Sequence, residues 1–224
     1  MAAFIHLVRH GEVDNPEHLV YADLPGFGLS PHGVEQARRV GRYLGPRPVV
    51  AVWSSPLERS LRTAEEIAGR TGVPVKIDPD LTEWELAHRW RGHSWSSIPE
   101  TFPGELEAYL EGPAELTFGS ESLADVAERI ANAAKRLDAD HPHGDVVIVS
   151  HQDPIQAGRL RLLGSSLDLL HDEKLGHGAV VTLRPGPSWK EETVWEPSES
   201  PRFGEKSDLR VLSATDSGSP PTSA

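Results

Sequence analysis

Three short apolar runs constrain the fold more than anything else in the chain: FIHLV at 4–8, VVAVW at 49–53 and DVVIVS at 145–150. Each is rich in β-branched residues and too short for a buried helix, so each predicts a covered strand. Amphipathic segments separate them. Ser30 suits an N-cap and Pro31 the first helical position, and Val34, Ala37, Val40 and Leu44 recur at helical spacing, predicting a helix over 31–44. Ser55 and Pro56 repeat that signal ahead of Leu57, Leu61, Ala64 and Ile67, predicting a helix over 56–69. Val73 to Ile77 reads as a further brief strand. Ser120 is the expected cap of a long helix carrying Leu123, Val126, Ile130, Ala134 and Leu137, and 154–163 is expected to form another helix. AVVTL at 179–183 and KEETVW at 190–195 are expected to pair around the turn from Pro185 to Ser188. Strands alternating with amphipathic helices imply an α/β fold, a three-layer α/β/α arrangement with a mainly parallel central sheet. Ligands of such sheets bind beyond the carboxyl ends of the strands.

The chain has 224 residues, 38% hydrophobic and 25% charged, enough for one domain with its own core. We assign residues 1–196 to that domain and 197–224, rich in Pro and Ser, to a disordered tail. No run of about 18 apolar residues occurs, and the N-terminus lacks a basic segment followed by an apolar one, so neither membrane insertion nor export is expected. Cysteine is absent, which fits a cytoplasmic protein. A formal net charge of −12 argues against nucleic acid as a partner. It does not argue against a small phosphorylated substrate, because arginines act locally within the screening length.

The polar ends of the strands carry the chemistry. Arg9 and His10 close the first, Arg59 lies just inside the helix after the second, and His151 follows the third. Guanidinium groups bind phosphoryl oxygens through charge-assisted hydrogen bonds, and a neutral imidazole can attack phosphorus. A carboxyl kept protonated by apolar surroundings can then supply the proton that a leaving alkoxide needs. In LTEWELAHRW, Glu83 and Glu85 both have that setting. Gly11 lets the backbone turn away directly after His10. Residues 13–29 form a long loop of the kind that serves a site.

These residues carry a resemblance. LVRHGE at 7–12, LSPHGVEQA at 29–37, SSPLERSLRTAEEIA at 54–68, LTE and WRG at 81–92, GSES at 119–122 and VVIVSH at 146–151 stand in the order seen in the histidine phosphatase superfamily, branch 1. The likeness spans roughly residues 4–165. It implies a phosphoglycerate mutase-like fold and no cofactor. It also implies that His10 accepts the phosphoryl group, Arg9 and Arg59 bind it, His151 is the second pocket histidine, and Glu83, in the family's L-x-E position, donates the proton. Asn15 is the candidate for an extra phosphate ligand, one residue short of the family's usual spacing. Gln152 and Asp153 stand where the family commonly has Gly and an apolar stretch.

The expected function is a metal-independent phosphomonoesterase working through a phosphohistidine. The alternatives are a phosphoglycerate mutase-type phosphotransferase and a phospho-ligand-binding module without turnover. The 35 residues from 84 to 118, more acidic than basic, make a shorter insertion than the family's mutases usually carry and favour hydrolysis. No metal is expected: His88, His93, His141, His143, His171 and His177 lack ligand spacing and read as surface or pocket-lining residues. Arg62 reads as a solvated ion-pair residue, and Tyr21, Phe27, Trp84, Trp90 and Trp95 as packing residues, some at the pocket mouth. The oligomeric state is left open, with a homodimer compatible.

Overall fold

The computed structural model describes residues 1–197. The tail expected from 197 onward therefore lies, Pro197 apart, outside the described residues. The strands β1 (Phe4–Arg9), β2 (Val49–Ser54), β3 (Val75–Ile77), β4 (Asp145–Ser150), β5 (Val180–Arg184) and β6 (Lys190–Trp195) form one sheet in the order β3-β2-β4-β1-β5-β6. β3, β2, β4 and β1 run parallel, while β5 and β6 are antiparallel to their neighbours.

Residue alternation assigns the faces. Along β4, Val146 and Ile148 join one core and Val147 and Val149 the other, all buried completely. The first core adds Ile5 and Leu7 of β1, Ile130, Ala134 and Leu137 of helix α6 (Leu123–Asp140), and Ile155 of α7 (Gln152–Leu163). The second adds Val8 of β1, Val40 and Leu44 of α1 (Pro31–Leu44), and Ala64 and Ile67 of α2 (Glu58–Thr71). Each large aliphatic side chain so buried contributes about 1.5–3 kcal/mol relative to exposure, and together they clamp the sheet between two helical layers. Within the sheet, His6 bonds Thr182 and Asp145, each at 3.0 Å, cross-linking β5, β1 and β4 beneath the site.

A third cluster forms a cap over the carboxyl ends of the strands. The stretch 78–118, which has only weak periodicity, contains β3's exit, single turns, and the short helices α3 (Leu86–Arg89), α4 (Ile98–Thr101) and α5 (Glu105–Glu111). Trp84, Trp90, Ile98, Leu106, Tyr109 and Leu110 pack with Val126 and Ala157 of α6 and α7. The 13–29 loop is stitched to this cap, Val20 N–H donating to His93 O and Gly92 N–H to Val20 O.

The α1 helix starts as expected: Ser30 accepts the Gly33 N–H through its hydroxyl at 3.0 Å, a cap worth about 1 kcal/mol. The strand expected from Val73 begins only at Val75, and three helix starts differ from expectation. The α2 helix begins at Glu58, not Pro56, because Ser55 extends the β-ladder, its N–H bonding Val149 O at 3.0 Å. The α6 cap is Ser122, not Ser120, since only Ser122 has an acidic partner three residues on: its hydroxyl and Asp125 form a reciprocal capping box. The α7 helix starts at Gln152, two residues earlier than expected.

Candidate active site

Parallel register brings the three strand ends level. Arg9 lies opposite Ser150, and Ser54 opposite Val149. The ladder runs one residue past the strands, with His10 N–H donating to Ser150 O at 3.1 Å. Arg9, His10, Arg59, Glu83 and His151 therefore meet on one rim, beneath the cap.

His10 is 1% exposed. Its Nδ1 lies 2.7 Å from Gly11 O, which can only accept, so Nδ1 carries the proton and Nε2 presents a lone pair. Arg59 Nε donates to that lone pair at 3.3 Å. Burial first, then the positive charge of Arg59, pushes the His10 imidazole well below its ordinary value, so it is neutral at physiological pH. Such a ring is a nucleophile with its tautomer already set.

Gly11 and Gly33 make this possible. A Cβ on Gly11 would lie 2.4 Å from Gly33 O, and one on Gly33 would lie 2.0 Å from Glu12 O. Backbone therefore packs on backbone where the chain leaves His10, and Thr63 Oγ1 receives the Gly11 N–H at 3.1 Å while donating to Arg59 O.

Two guanidinium groups, Arg59 buried and Arg9 half-buried, flank the imidazole. Arg59, 1% exposed, donates to Ala22 O at 2.9 Å and stacks over the Tyr21 ring at 4.7 Å. Arg9 donates through Nη1 to Gln152 Oε1 at 2.5 Å and Leu175 O at 2.6 Å, and through Nη2 to His177 Nε2 at 2.9 Å. His151 is held by Ser55 Oγ at 2.8 Å from its Nε2, its ring centroid 5.2 Å from that of His10. Three buried polar atoms here, Arg9 Nε, His151 Nδ1 and Gln152 Nε2, have no hydrogen-bond partner among the described residues. An unmet buried group costs about 1–3 kcal/mol, so their grouping around two arginines describes a socket for an oxygen-rich anion.

Glu83 completes the set. Its Oε1 accepts the Trp84 N–H at 2.9 Å, and its Oε2 lies 3.7 Å from His151 Nδ1 and 3.8 Å from Arg59 Nη2. Burial pushes its carboxyl up to about 7, with Arg59 opposing and Asp153 reinforcing the rise. It can thus hold or release a proton near neutrality. Glu85 instead accepts from Ser120 Oγ, away from these groups.

Other expected residues fall elsewhere. Both ends of the Asn15 amide bond the Leu19 backbone, at 2.9 and 3.0 Å, so its side chain closes the 15–19 turn. Arg62 pairs with Glu65 at 2.8 Å on the surface. Among the described residues no group of three or more His, Asp or Glu is placed to hold a metal ion, and no helix is long and apolar enough to cross a membrane. Sequence reasoning assigned no role to Gln152 and no contact to His177, which together grip Arg9. The Gly-His-Gly run ahead of β5 was the one available signal for His177.

The family model described as histidine phosphatase superfamily (branch 1) matches residues 5–196. An uncharacterized protein of Mycobacterium tuberculosis is 38% identical over 186 residues, covering 80% of this chain and 87% of that one. Phosphoserine phosphatase 1 of Hydrogenobacter thermophilus is 32% identical over 163 residues, covering 72% and 76%. Among solved structures, a mycobacterial glucosyl-3-phosphoglycerate phosphatase complexed with VO3 superposes with a TM-score of 0.79 at 29% identity, covering 88% of this chain and 100% of that one.

Proposed function

The chain belongs to branch 1 of the histidine phosphatase superfamily, and we propose that it hydrolyses a small organic phosphomonoester through a phosphohistidine, without a metal. The observation that carries this reading is the pairing of His10, neutral with its Nε2 lone pair turned inward, with Glu83, a carboxyl poised at about 7. Relatives that are phosphatases, one for phosphoserine and one for glucosyl-3-phosphoglycerate, support hydrolysis over transfer to a second sugar-acid.

In the first step His10 Nε2 forms a bond to phosphorus as the ester P–O bond breaks, and the departing alkoxide takes the proton of Glu83. Arg9, Arg59 and His151 donate to the non-bridging oxygens, whose charge grows at the transition state. In the second step water attacks phosphorus, Glu83 takes its proton, and the P–N bond breaks to return inorganic phosphate and a neutral His10. Glu83 serves both steps because a group with a pKa near the working pH gives up and regains a proton with comparable ease.

The test is hydrolysis of 4-nitrophenyl phosphate in the presence of a chelator. The wild-type protein should release nitrophenol and His10→Ala should not. Release by His10→Ala at the wild-type rate, or none by either protein, would refute the reading. Turnover of 3-phosphoglycerate with and without a bisphosphorylated primer separates the mutase: phosphate release independent of primer supports hydrolysis.

A further inference from the structure

One carboxylate beside the reacting groups has no task in these steps. Asp153 sits in the first turn of α7, two residues past His151. Tyr109 of α5 reaches across from the cap and donates its hydroxyl to Asp153 Oδ2 at 2.8 Å. Tyr109 is 5% exposed and wedged between the Trp84, Trp90 and His171 rings, so it fixes the carboxylate's orientation. Asp153 is close enough to Arg9 and Glu83 to act on the charge of both. Arg9 nevertheless points its Nη1 and Nη2 hydrogens at Gln152, Leu175 and His177.

A fixed anion next to a socket for another anion opposes the charge the two arginines attract, so a purely structural role is an unfavourable explanation for it. Its position offers a better one. Glu83 must lie at the ester oxygen to protonate it, and Asp153, two residues past His151 and near enough to Glu83 to raise its carboxyl, stands beside the path that the alcohol portion of a substrate would take. With Oδ2 taken by Tyr109, Oδ1 remains an acceptor.

We propose that Asp153, oriented by Tyr109, is a leaving-group subsite that takes a hydrogen-bond donor, an ammonium or hydroxyl group on the alcohol of the phosphomonoester, and disfavours a carboxylate there. This rests on the phosphatase reading above and deepens it to a substrate class. The donor chemistry is common to amino-alcohol and polyol phosphates, and matched substrates separate the two.

The experiment compares kcat/KM for phosphoethanolamine against ethyl phosphate, and for glycerol 1-phosphate against propyl phosphate. Wild type, Asp153→Ala, Asp153→Asn and Tyr109→Phe are each assayed, with 4-nitrophenyl phosphate as a common reference. Ratios within one protein cancel effects common to both substrates, such as a change in phosphate binding, and each Asp153 variant is read as a change from the wild-type ratio. Buried polar sites reject analogues lacking a donor by large factors; for a half-exposed carboxylate we expect a wild-type preference of at least about tenfold in one pair. Asp153→Ala should bring that ratio to within about threefold of unity, and Tyr109→Phe should lower it in part. Asp153→Asn keeps the shape and guards against loss of fold: it should erase an ammonium preference but retain much of a hydroxyl preference, because the amide oxygen still accepts. Wild-type ratios near unity, or ratios unchanged in both Asp153 variants, with 4-nitrophenyl phosphate still hydrolysed, overturn the subsite alone. Failure of wild type on 4-nitrophenyl phosphate overturns the phosphatase reading and the subsite with it.

Discussion

Replacing Glu83 with glutamine should make the protein more stable while disabling it, and the gain should grow with pH. The Glu83 side chain is 17% exposed, and burial lifts its carboxyl from 4.5 to about 7. The folded state therefore binds the proton more tightly than the unfolded state. That contribution to stability is fully present below the unfolded value and is lost as pH rises to the folded one. Above about pH 7 the ionised, buried carboxylate costs on the order of 3 kcal/mol, because a tenfold change in proton affinity is worth about 1.4 kcal/mol. Glutamine does not titrate, so the stability gap between Glu83→Gln and wild type should widen by about 2.5 kcal/mol between roughly pH 5 and pH 8. For a domain of this size that is a widening of roughly 5–10 °C in Tm. Calorimetry of both proteins in matched buffers free of phosphate, which would bind the folded state, measures it directly. A gap that stays constant or narrows with pH would show that Glu83 is not held protonated by burial, and the case for it as the acid would fail.

Three further outcomes follow from the same geometry. Glu83→Gln should slow alkyl phosphates by roughly 10²-fold or more but 4-nitrophenyl phosphate less, since a good leaving group needs no proton; equal losses would point to another donor. The kcat/KM of an alkyl phosphate should fall above about pH 7 as Glu83 ionises, and that alkaline limb should vanish in Glu83→Gln; wild-type activity still rising beyond about pH 8 would contradict it. Gly33→Ala, whose Cβ would sit 2.0 Å from Glu12 O, should cost about 1–3 kcal/mol in denaturant unfolding and displace His10. Its control is Gly69→Ala on α2, with nothing within 4 Å, which should gain about 0.5–1 kcal/mol. Equal effects of the two alanines would show that the close approach of the two backbones carries no constraint.

The sheet could be read from the chain because its central strands β1 and β4 are buried on both faces, and β-branched runs such as VVAVW and DVVIVS have few other uses. The rim followed from the rule for parallel sheets, and three of its residues, Arg9, His10 and His151, stand at or next to strand ends. What stayed hidden depends on contacts between segments far apart in the chain. Ser55 looks like a helix cap because Pro56 follows it; its hydroxyl does accept the Leu57 N–H at 3.3 Å, but it also bonds His151, and its backbone joins β4. The cap stretch 78–118 lacks periodicity because its apolar residues pack around aromatic rings contributed by several short turns. Arg9 reads from the sequence as a candidate phosphate ligand, whereas its supports, Gln152 and His177, lie more than a hundred residues away and carry no local signature. Asn15 shows a role that sequence alone does not reveal: the residue type suits a phosphate contact, and its amide also closes the 15–19 turn through both ends.

The proposed mechanism stands or falls on phosphate passing through Nε2 of His10. Rapid mixing with 4-nitrophenyl phosphate, alkaline quenching and mass spectrometry of the digested protein tests it, because phosphohistidine survives base and is lost in acid. A phosphoryl group should appear on the His10 peptide, bonded at Nε2 because Nδ1 is held by the Gly11 carbonyl. It should accumulate further in Glu83→Gln, where the second step lacks its base, and be absent from His10→Ala. Steady turnover with no phosphorylated protein, or a phosphoryl group on any other residue, would contradict the mechanism.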